Sequence, residues 1–159
     1  MARFNDIEGF YRLHSDSVYS YLVSLCHDRS RAEDLMQDTF VRATRALGGY
    51  RGGSPKAWLF SIARTVFLDD TRRRARRPVL VREQDSAAAP VSDPVEQEVI
   101  ERALSRLPER QRTALVLSDR VGLTGSEIAA ALGISEGAAR VLLHRARHSF
   151  RVVYEEDSR

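Results

Sequence analysis

A short break between two helical patterns is the feature that most constrains this chain; it lies in the segment GLTGSEIAAALGISEGAARVLLHRARHSFR near the C-terminal end. Thr124 is followed three residues later by Glu127, a capping-box arrangement that predicts a helix over residues 125–132. Gly133 suits the left-handed position that ends a helix, and Ser135 can cap the next one. The segment therefore predicts a helix-turn-helix.

The second helix of this unit has an apolar side and a basic side. Its apolar residues follow steps of four, three, four and three and predict a buried stripe: Ala139, Leu143, Ala146, Phe150 and Val153. The other side predicts an exposed face of Arg140, Val141, His144, Arg145 and His148, flanked by Arg147 and Arg151. Such a face can enter the major groove, where arginine contacts guanine edges or phosphates. A merely solvated basic face is the alternative, but cap, turn and stripe together favour DNA binding.

The rest of the chain is also predicted to be helical. Apolar residues recur at helical spacing almost everywhere, and no strict alternation is long enough for a strand. One or two helices are expected over 4–27 and single helices over 31–47, 55–77, 99–107 and 108–122. The fold class is therefore all-α.

Residues 78–95, PVLVREQDSAAAPVSDPV, differ in composition from the segments around them. They hold three of the five prolines, together with small and polar residues and no sustained apolar face. We interpret this segment as a flexible linker. The chain then divides into two small helical domains, residues 1–77 and residues 96–159.

A second candidate nucleic-acid surface lies at the end of the first domain. The run RRRARR finishes the helix that starts after the glycine-rich segment GGYRGGSP. The helix combines Trp58 with Arg64, Arg72 and Arg73, and aromatic and cationic groups together suit unpaired bases and phosphates. For Trp58 alone, a position in the hydrophobic core is the favoured interpretation.

Composition and motifs argue against several other classes of protein. The formal net charge of the 159 residues is only +3, so the placement of charge matters more than its sum. The single Cys26 cannot form an internal disulfide and suits a small core position. No nucleophile, phosphate-loop or metal-ligand motif is present, so we expect no enzyme, cofactor or metal. His144 and His148 lie four residues apart, a spacing that could bind a metal ion. They lie on the basic face that is predicted to contact DNA, which argues against a metal site there. Without an apolar stretch long enough for a membrane span, a cytoplasmic protein is expected.

Three blocks of sequence resemble the extracytoplasmic-function group of bacterial sigma factors. They are RAEDLMQDTFVRATRAL at 31–47, WLFSIARTVFLDDTRRR at 58–74, and the segment from Leu107 to Arg147 that includes the helix-turn-helix. Their order and spacing together are specific, whereas no single block would be. The resemblance covers nearly the whole chain and implies two helical domains joined by a linker.

The resemblance also implies partners and site residues. The first domain would bind the clamp helices of the β′ subunit of core RNA polymerase through Asp34, Gln37 and Asp38. It would also help to melt the minus-ten promoter element, with Trp58, Arg64, Thr65, Arg72 and Arg73 at the DNA. Thr65 stands where many members carry Asn, in a pocket for a flipped base.

The second domain would contact the β flap of the polymerase and read the minus-thirty-five element. Its DNA-contacting residues would be Arg140, Val141, His144, Arg145, Arg147 and Arg151. Members of this group are commonly inhibited by an anti-sigma factor, so one is expected as a further partner.

A conventional helix-turn-helix regulator that acts as a dimer is the alternative function. Residues 1–77 would then serve dimerisation or sensing. The two hypotheses differ in architecture. A dimeric repressor presents two identical recognition helices, one from each subunit, related by two-fold symmetry. A sigma factor instead joins two different DNA-binding domains in one chain, and the length of the linker sets the effective concentration of one domain at its DNA site once the other is bound.

The predicted linker is open to a direct test. Because residues 78–95 offer three prolines and little apolar surface for docking, limited proteolysis of the free chain should cut there first. Mass spectrometry of the early fragments would locate the cut. A first cut elsewhere, with this segment resisting protease, would contradict the assignment.

Overall fold

Seven α-helices form the part of the chain that the structure, a computed structural model, describes, namely residues 7–77 and 93–159. They are α1 (Ile7–Cys26), α2 (Arg29–Ala46), α3 (Pro55–Ala75), α4 (Pro94–Ser105), α5 (Glu109–Leu115), α6 (Gly125–Leu132) and α7 (Glu136–Asp157). Within these two ranges there is no β-strand. The all-α prediction is therefore confirmed.

The first three helices pack against one another as a unit, here called the α1–α3 unit. Val18, Tyr21 and Leu22 of α1 are fully buried, because they lie on the side of the helix that faces its neighbours. Two ion pairs between α2 and α3 add to the packing. Arg31 Nε lies 2.6 Å from Asp70 Oδ2, and Arg42 Nη1 lies 2.9 Å from Asp69 Oδ2.

Polar caps set the helix starts of the α1–α3 unit. Asp28 accepts a hydrogen bond from the backbone N–H of Arg31 at the start of α2, so the helix begins at Arg29, two residues before the predicted block. His27 has a φ of 53° in the turn before it. Ser54 caps α3 through the N–H of Ala57, with proline in the first position as predicted.

Helix α4 begins earlier than the sequence predicted. Asp93 accepts a hydrogen bond from the N–H of Val95, which caps α4 and starts it at Pro94, two residues inside the predicted linker. Residues 78–92 of that linker lie outside the described part of the chain. Helix α5 follows Pro108 and continues into a π-helical turn over Val116–Arg120. Gly122, with a φ of 80°, ends this segment as predicted.

The predicted helix-turn-helix is confirmed residue by residue. Thr124 and Glu127 form both hydrogen bonds of the capping box, and α6 runs over the predicted residues 125–132. Gly133 adopts the left-handed conformation, with a φ of 66°. Ser135 then accepts from the N–H of Ala138 to cap α7.

Helices α4 to α7 form a second unit, here called the α4–α7 unit, which packs against the α1–α3 unit through one continuous hydrophobic core. Helix α6 lies along α3, and α1 contacts α4 and α5. Tyr21 of α1 is completely buried, and its hydroxyl lies 3.5 Å from Thr113 Oγ1 of α5. The same burial raises the pKa of Tyr21, because water no longer stabilises the phenolate. The two predicted domains are thus in direct contact.

A glycine at the helix-turn-helix break should contribute measurably to stability. Gly133→Ala should lower the free energy of unfolding by about 1 kcal/mol, because a side chain is strained at positive φ. Gly125→Ala, in the first turn of α6 with open space around it and no positive φ, is the matched control and should be neutral or slightly stabilising. Urea unfolding measures both. Equal destabilisation by the two substitutions would contradict this explanation.

Candidate nucleic-acid interface

The outward face of α7 is open to solvent, as the sequence predicted. All six predicted DNA-contacting residues of this helix are exposed: Arg140, Val141, His144, Arg145, Arg147 and Arg151. The opposite stripe is buried at Ala139, Leu143 and Ala146 and half-buried at Phe150 and Val153. The face can therefore approach DNA without any rearrangement of the helix-turn-helix.

The arginines of α7 differ in how they are held. Arg147 Nη2 donates to Ser118 Oγ at 3.1 Å and lies 3.4 Å from Asp119 Oδ1, so it is tied to the π-helical turn. Within the described ranges, no hydrogen bond or ion pair holds Arg140 or Arg145. These two guanidinium groups are therefore available for base edges, whereas Arg147 has to exchange an internal partner for a DNA contact.

The candidate minus-ten residues on α3 divide into two groups. Thr65 is exposed and donates to the Ser61 carbonyl at 3.0 Å. Arg72 and Arg73 are exposed as well, and they form long ion pairs to Asp69 and Asp70, at 3.7 and 3.9 Å. These three side chains are accessible to solvent.

Trp58 combines both interpretations that the sequence allowed. Its ring is half-buried and packs against the hydrophobic core, with an edge-to-face contact to Tyr50 at a centroid distance of 5.3 Å. The contact orients the indole beside the glycine-rich loop. The residue is therefore partly structural and partly exposed.

Arg64 is separated from the other candidate minus-ten residues. Its Nε and Nη2 atoms donate to the two carboxylate oxygens of Glu109 on α5, each at 3.0 Å. The arginine side chain is only 20% exposed. The structure therefore places Arg64 in the contact between the two units rather than on the open surface with Arg72 and Arg73.

The predicted polymerase-binding residues lie on the outer side of α2. Asp34 and Gln37 are exposed, and Asp38 is half-buried with Oδ2 3.5 Å from Arg42 Nη2. The hydrogen bond to Asp69, with Asp38 nearby, raises the pKa of Arg42. Asp38 thus has an internal partner four residues along its own helix, a spacing that is visible in the sequence, while Asp34 and Gln37 are open to a protein partner.

Several polar residues between the two units were missed from the sequence. Ser54 Oγ donates to Glu127 Oε2 at 2.5 Å, and Lys56 Nζ donates to the Val121 carbonyl at 3.1 Å. The Ser54 hydrogen bond, with that of the Thr124 N–H, lowers the pKa of Glu127. Sequence separations of 65 and 73 residues leave no periodic signal for such pairs.

The sequence of α3 does contain a pattern that indicates packing against a second unit. Its apolar residues are not confined to one stripe, because Trp58, Leu59 and Phe60 follow one another and so do Val66, Phe67 and Leu68. A helix that is apolar around most of its circumference is normally buried on more than one side. The pattern therefore indicates that α3 needs a second packing partner besides α1 and α2.

Other kinds of site find no support in the described ranges. No group of three His, Cys, Asp or Glu side chains there could hold a metal ion. No helix in those ranges combines the length and the apolar character that a membrane span requires.

Two family models match the chain in the order of the two units. Sigma-70 region 2 matches residues 10–77, and Sigma-70 region 4 matches residues 97–149. The first match contains the α2 and α3 surfaces, and the second contains the helix-turn-helix. Together they cover most of the chain.

Named relatives extend over both units. The chain is 36% identical over 149 residues to the ECF RNA polymerase sigma factor SigE of Mycolicibacterium smegmatis, a match that covers 88% of this chain and 58% of that protein. It is 30% identical to the ECF RNA polymerase sigma factor SigM of Bacillus subtilis, with 93% of this chain and 94% of that protein covered. The chain thus spans little more than half the length of SigE but almost all of SigM.

Solved structures agree with these relatives. The sigma factor RpoE in complex with the anti-sigma factor NepR, from Bartonella quintana, matches at a TM-score of 0.74 and 25% identity, covering 94% of this chain and 97% of that one. CnrH in complex with the cytosolic domain of CnrY matches at 0.74 and 26%, covering 95% and 88%.

The match to both units decides between the two hypotheses. A conventional helix-turn-helix regulator would share only the C-terminal unit, whereas here region 2 and region 4 occur together, in order, in one chain. A dimeric regulator is therefore not favoured. The chain belongs to the extracytoplasmic-function group of the sigma-70 family of RNA polymerase sigma factors.

Proposed function

We propose that this protein binds core RNA polymerase and directs it to a specific set of promoters. One observation carries the proposal: region 2 and region 4 occur in order, and region 4 presents an open basic helix. Two different DNA-reading units on one chain gain affinity by being tethered. The chain supplies no chemistry in this proposal, because the polymerase synthesises the RNA, and the site of action is the cytoplasm.

The α7 face is the proposed reader of the minus-thirty-five element. Arg140 and Arg145 are exposed and free of internal ion pairs among the described residues, so they suit guanine edges in the major groove. Val141 and His144 lie on the same face, and Arg147 and Arg151 flank it. The flanking arginines suit phosphates, which position the helix without reading sequence.

Region 2 has two proposed roles on neighbouring helices. The outer face of α2, with Asp34, Gln37 and Asp38, would contact the β′ clamp helices. The α3 surface, with half-buried Trp58 and exposed Thr65, Arg72 and Arg73, would hold the melted minus-ten element, whereas Arg64 is paired with Glu109. Exposed cations at the end of α3 support this role, since they can neutralise phosphates of an unpaired strand.

An anti-sigma factor is a further proposed partner. RpoE and CnrH, the two structural relatives, were each solved with a bound protein, and the protein bound to RpoE is the anti-sigma factor NepR. Similarity across nearly the whole chain supports a comparable inhibitor here. The β flap of the polymerase is the remaining proposed contact, through region 4.

Reversal of charge on α2 tests the polymerase contact. Asp34→Arg combined with Asp38→Arg should abolish co-elution with core polymerase and reduce run-off transcription at least about tenfold, because like charges would replace the acidic contact. Asp16→Arg with Glu96→Arg changes the net charge equally on other exposed positions and should have little effect. Unchanged polymerase binding in a folded α2 variant would contradict the assignment.

Arg140 and Arg147 of α7 should contribute to DNA binding in different ways. Arg140→Ala should cost ~1–3 kcal/mol of binding and relax preference at one promoter position, because it removes a base contact. Arg147→Ala should weaken binding to all duplexes alike and lower the salt slope by about 1. Fluorescence anisotropy with minus-thirty-five duplexes across a salt series measures both, and Arg12→Ala on α1 is the control. Equal, sequence-independent losses for Arg140→Ala and Arg147→Ala would contradict the proposed orientation of α7.

A further inference from the structure

We propose that Val141 recognises the C5 methyl group of a pyrimidine in the major groove, so that the minus-thirty-five element of this protein contains a thymine at the surface of α7. The inference rests on the proposed function, because that function places the outward face of α7 at this element. It adds the chemistry of one contact, in which an apolar side chain packs against a methyl group between arginines that suit guanine.

Val141 points directly away from the hydrophobic core of the α4–α7 unit. Buried Ala139 and Leu143 lie two residues before and two residues after it on α7. At roughly 3.6 residues per turn, each of them is rotated by about 160° from Val141, in opposite directions. Val141 is therefore on the line of the helix that lies farthest from the core, and it enters the groove most deeply when α7 docks.

The surface around Val141 is an open depression on α7. Val141 itself is 49% exposed. Gly137, one turn earlier, has no side chain, and a Cβ added there would have Ser135 Oγ as its nearest neighbour beyond the helix backbone, at 4.0 Å. The flat edge of a base can therefore reach Val141 without a steric obstacle. The depression is lined by Gly137, Arg140, Val141, His144 and Arg145.

Duplex DNA supplies the chemistry that this mixed surface requires. In the major groove of B-DNA, thymine presents its C5 methyl group, and guanine presents two acceptors that suit arginine. A protein that covered Val141 would also have to desolvate Arg140 and Arg145 and provide acids for them. The base edges of one groove offer the apolar group and the acceptors side by side.

The spacing of these residues predicts where the thymine lies. Arg140 and Arg145 are five residues apart, which corresponds to about 7.5 Å along the helix axis. Successive bases of one strand are about 3.4 Å apart, so this segment of α7 spans about two base-pair steps. We therefore expect the thymine within about two base pairs of a guanine that Arg140 or Arg145 contacts.

Val152 provides a comparison on the same helix. It is 44% exposed and lies eleven residues after Val141, about three turns further along the same side. Glu155 and Glu156, in the last turn of α7, are exposed and oppose the approach of phosphates beyond this point. A valine at position 152 should therefore make no contact with a base.

The test uses the full chain bound to core RNA polymerase. Duplexes enriched from a random pool identify the preferred sequence, with core polymerase alone as the background. Each thymine of that sequence is then replaced singly by deoxyuridine, which removes the methyl group and keeps the base pair. One of these replacements should weaken binding about fourfold, because burial of a methyl-sized group contributes about that factor.

Val141→Ala identifies the side chain that is responsible. This variant should bind the thymine duplex about fourfold more weakly than the wild type does, and it should bind the thymine and deoxyuridine duplexes equally. Val152→Ala is the matched control and should keep the wild-type difference. Both positions are exposed, and circular dichroism confirms that each variant is folded.

A cytosine at the same position separates recognition of the methyl group from recognition of the rest of thymine. In the wild type, 5-methylcytosine should be bound about fourfold more tightly than cytosine, because it restores the methyl group alone. In Val141→Ala, the two duplexes should be bound equally.

Two results would overturn the assignment of Val141. One is an enriched sequence in which no deoxyuridine replacement weakens binding, or which contains no thymine. The other is that every deoxyuridine penalty persists in Val141→Ala. Either result leaves the proposed function standing, because enrichment itself demonstrates promoter selection. Absence of any enriched sequence would count against the proposed function and would remove the basis of the assignment with it.

Discussion

Helix α3 is the element on which the rest of the structure depends. Its apolar residues surround most of its circumference, so α1 and α2 alone cannot bury all of them. Leu59, Phe60, Ala63 and Val66 are fully buried, while half-buried Trp58 and Ile62 pack at the edge of the same core. The α4–α7 unit completes this burial through α6. The hydrophobic demand of one helix therefore joins two units that the sequence pattern separates.

The same helix distributes arginines between two environments. Arg72 and Arg73 lie in its last turn, where cations interact favourably with the helix dipole and remain exposed. Arg64 lies two turns earlier, beside α5, and is drawn into a bidentate pair with Glu109. Position along one helix thus decides whether a cation is available to DNA or engaged within the protein.

The contact between the units is polar at its edges and apolar in its centre. Tyr21 of α1 is completely buried in the shared core, and its hydroxyl lies 3.5 Å from Thr113 Oγ1 of α5. Hydrogen bonds from Ser54, Lys56 and Arg112 surround this centre. Apolar burial and hydrogen bonds therefore both hold the two units together.

The sequence by itself determined the helices, the helix-turn-helix and the exposed face of α7. These features depend on local rules: the capping box at Thr124 and Glu127, the left-handed Gly133, and a regular apolar stripe. Only the tertiary structure decided that Arg64 faces Glu109 and that Ser54 bonds to Glu127, partners 45 and 73 residues apart. No periodicity relates residues on helices from different units. Their pairing depends on how α3 and α6 share one core, and the relative positions of packed helices are a property of the assembled fold.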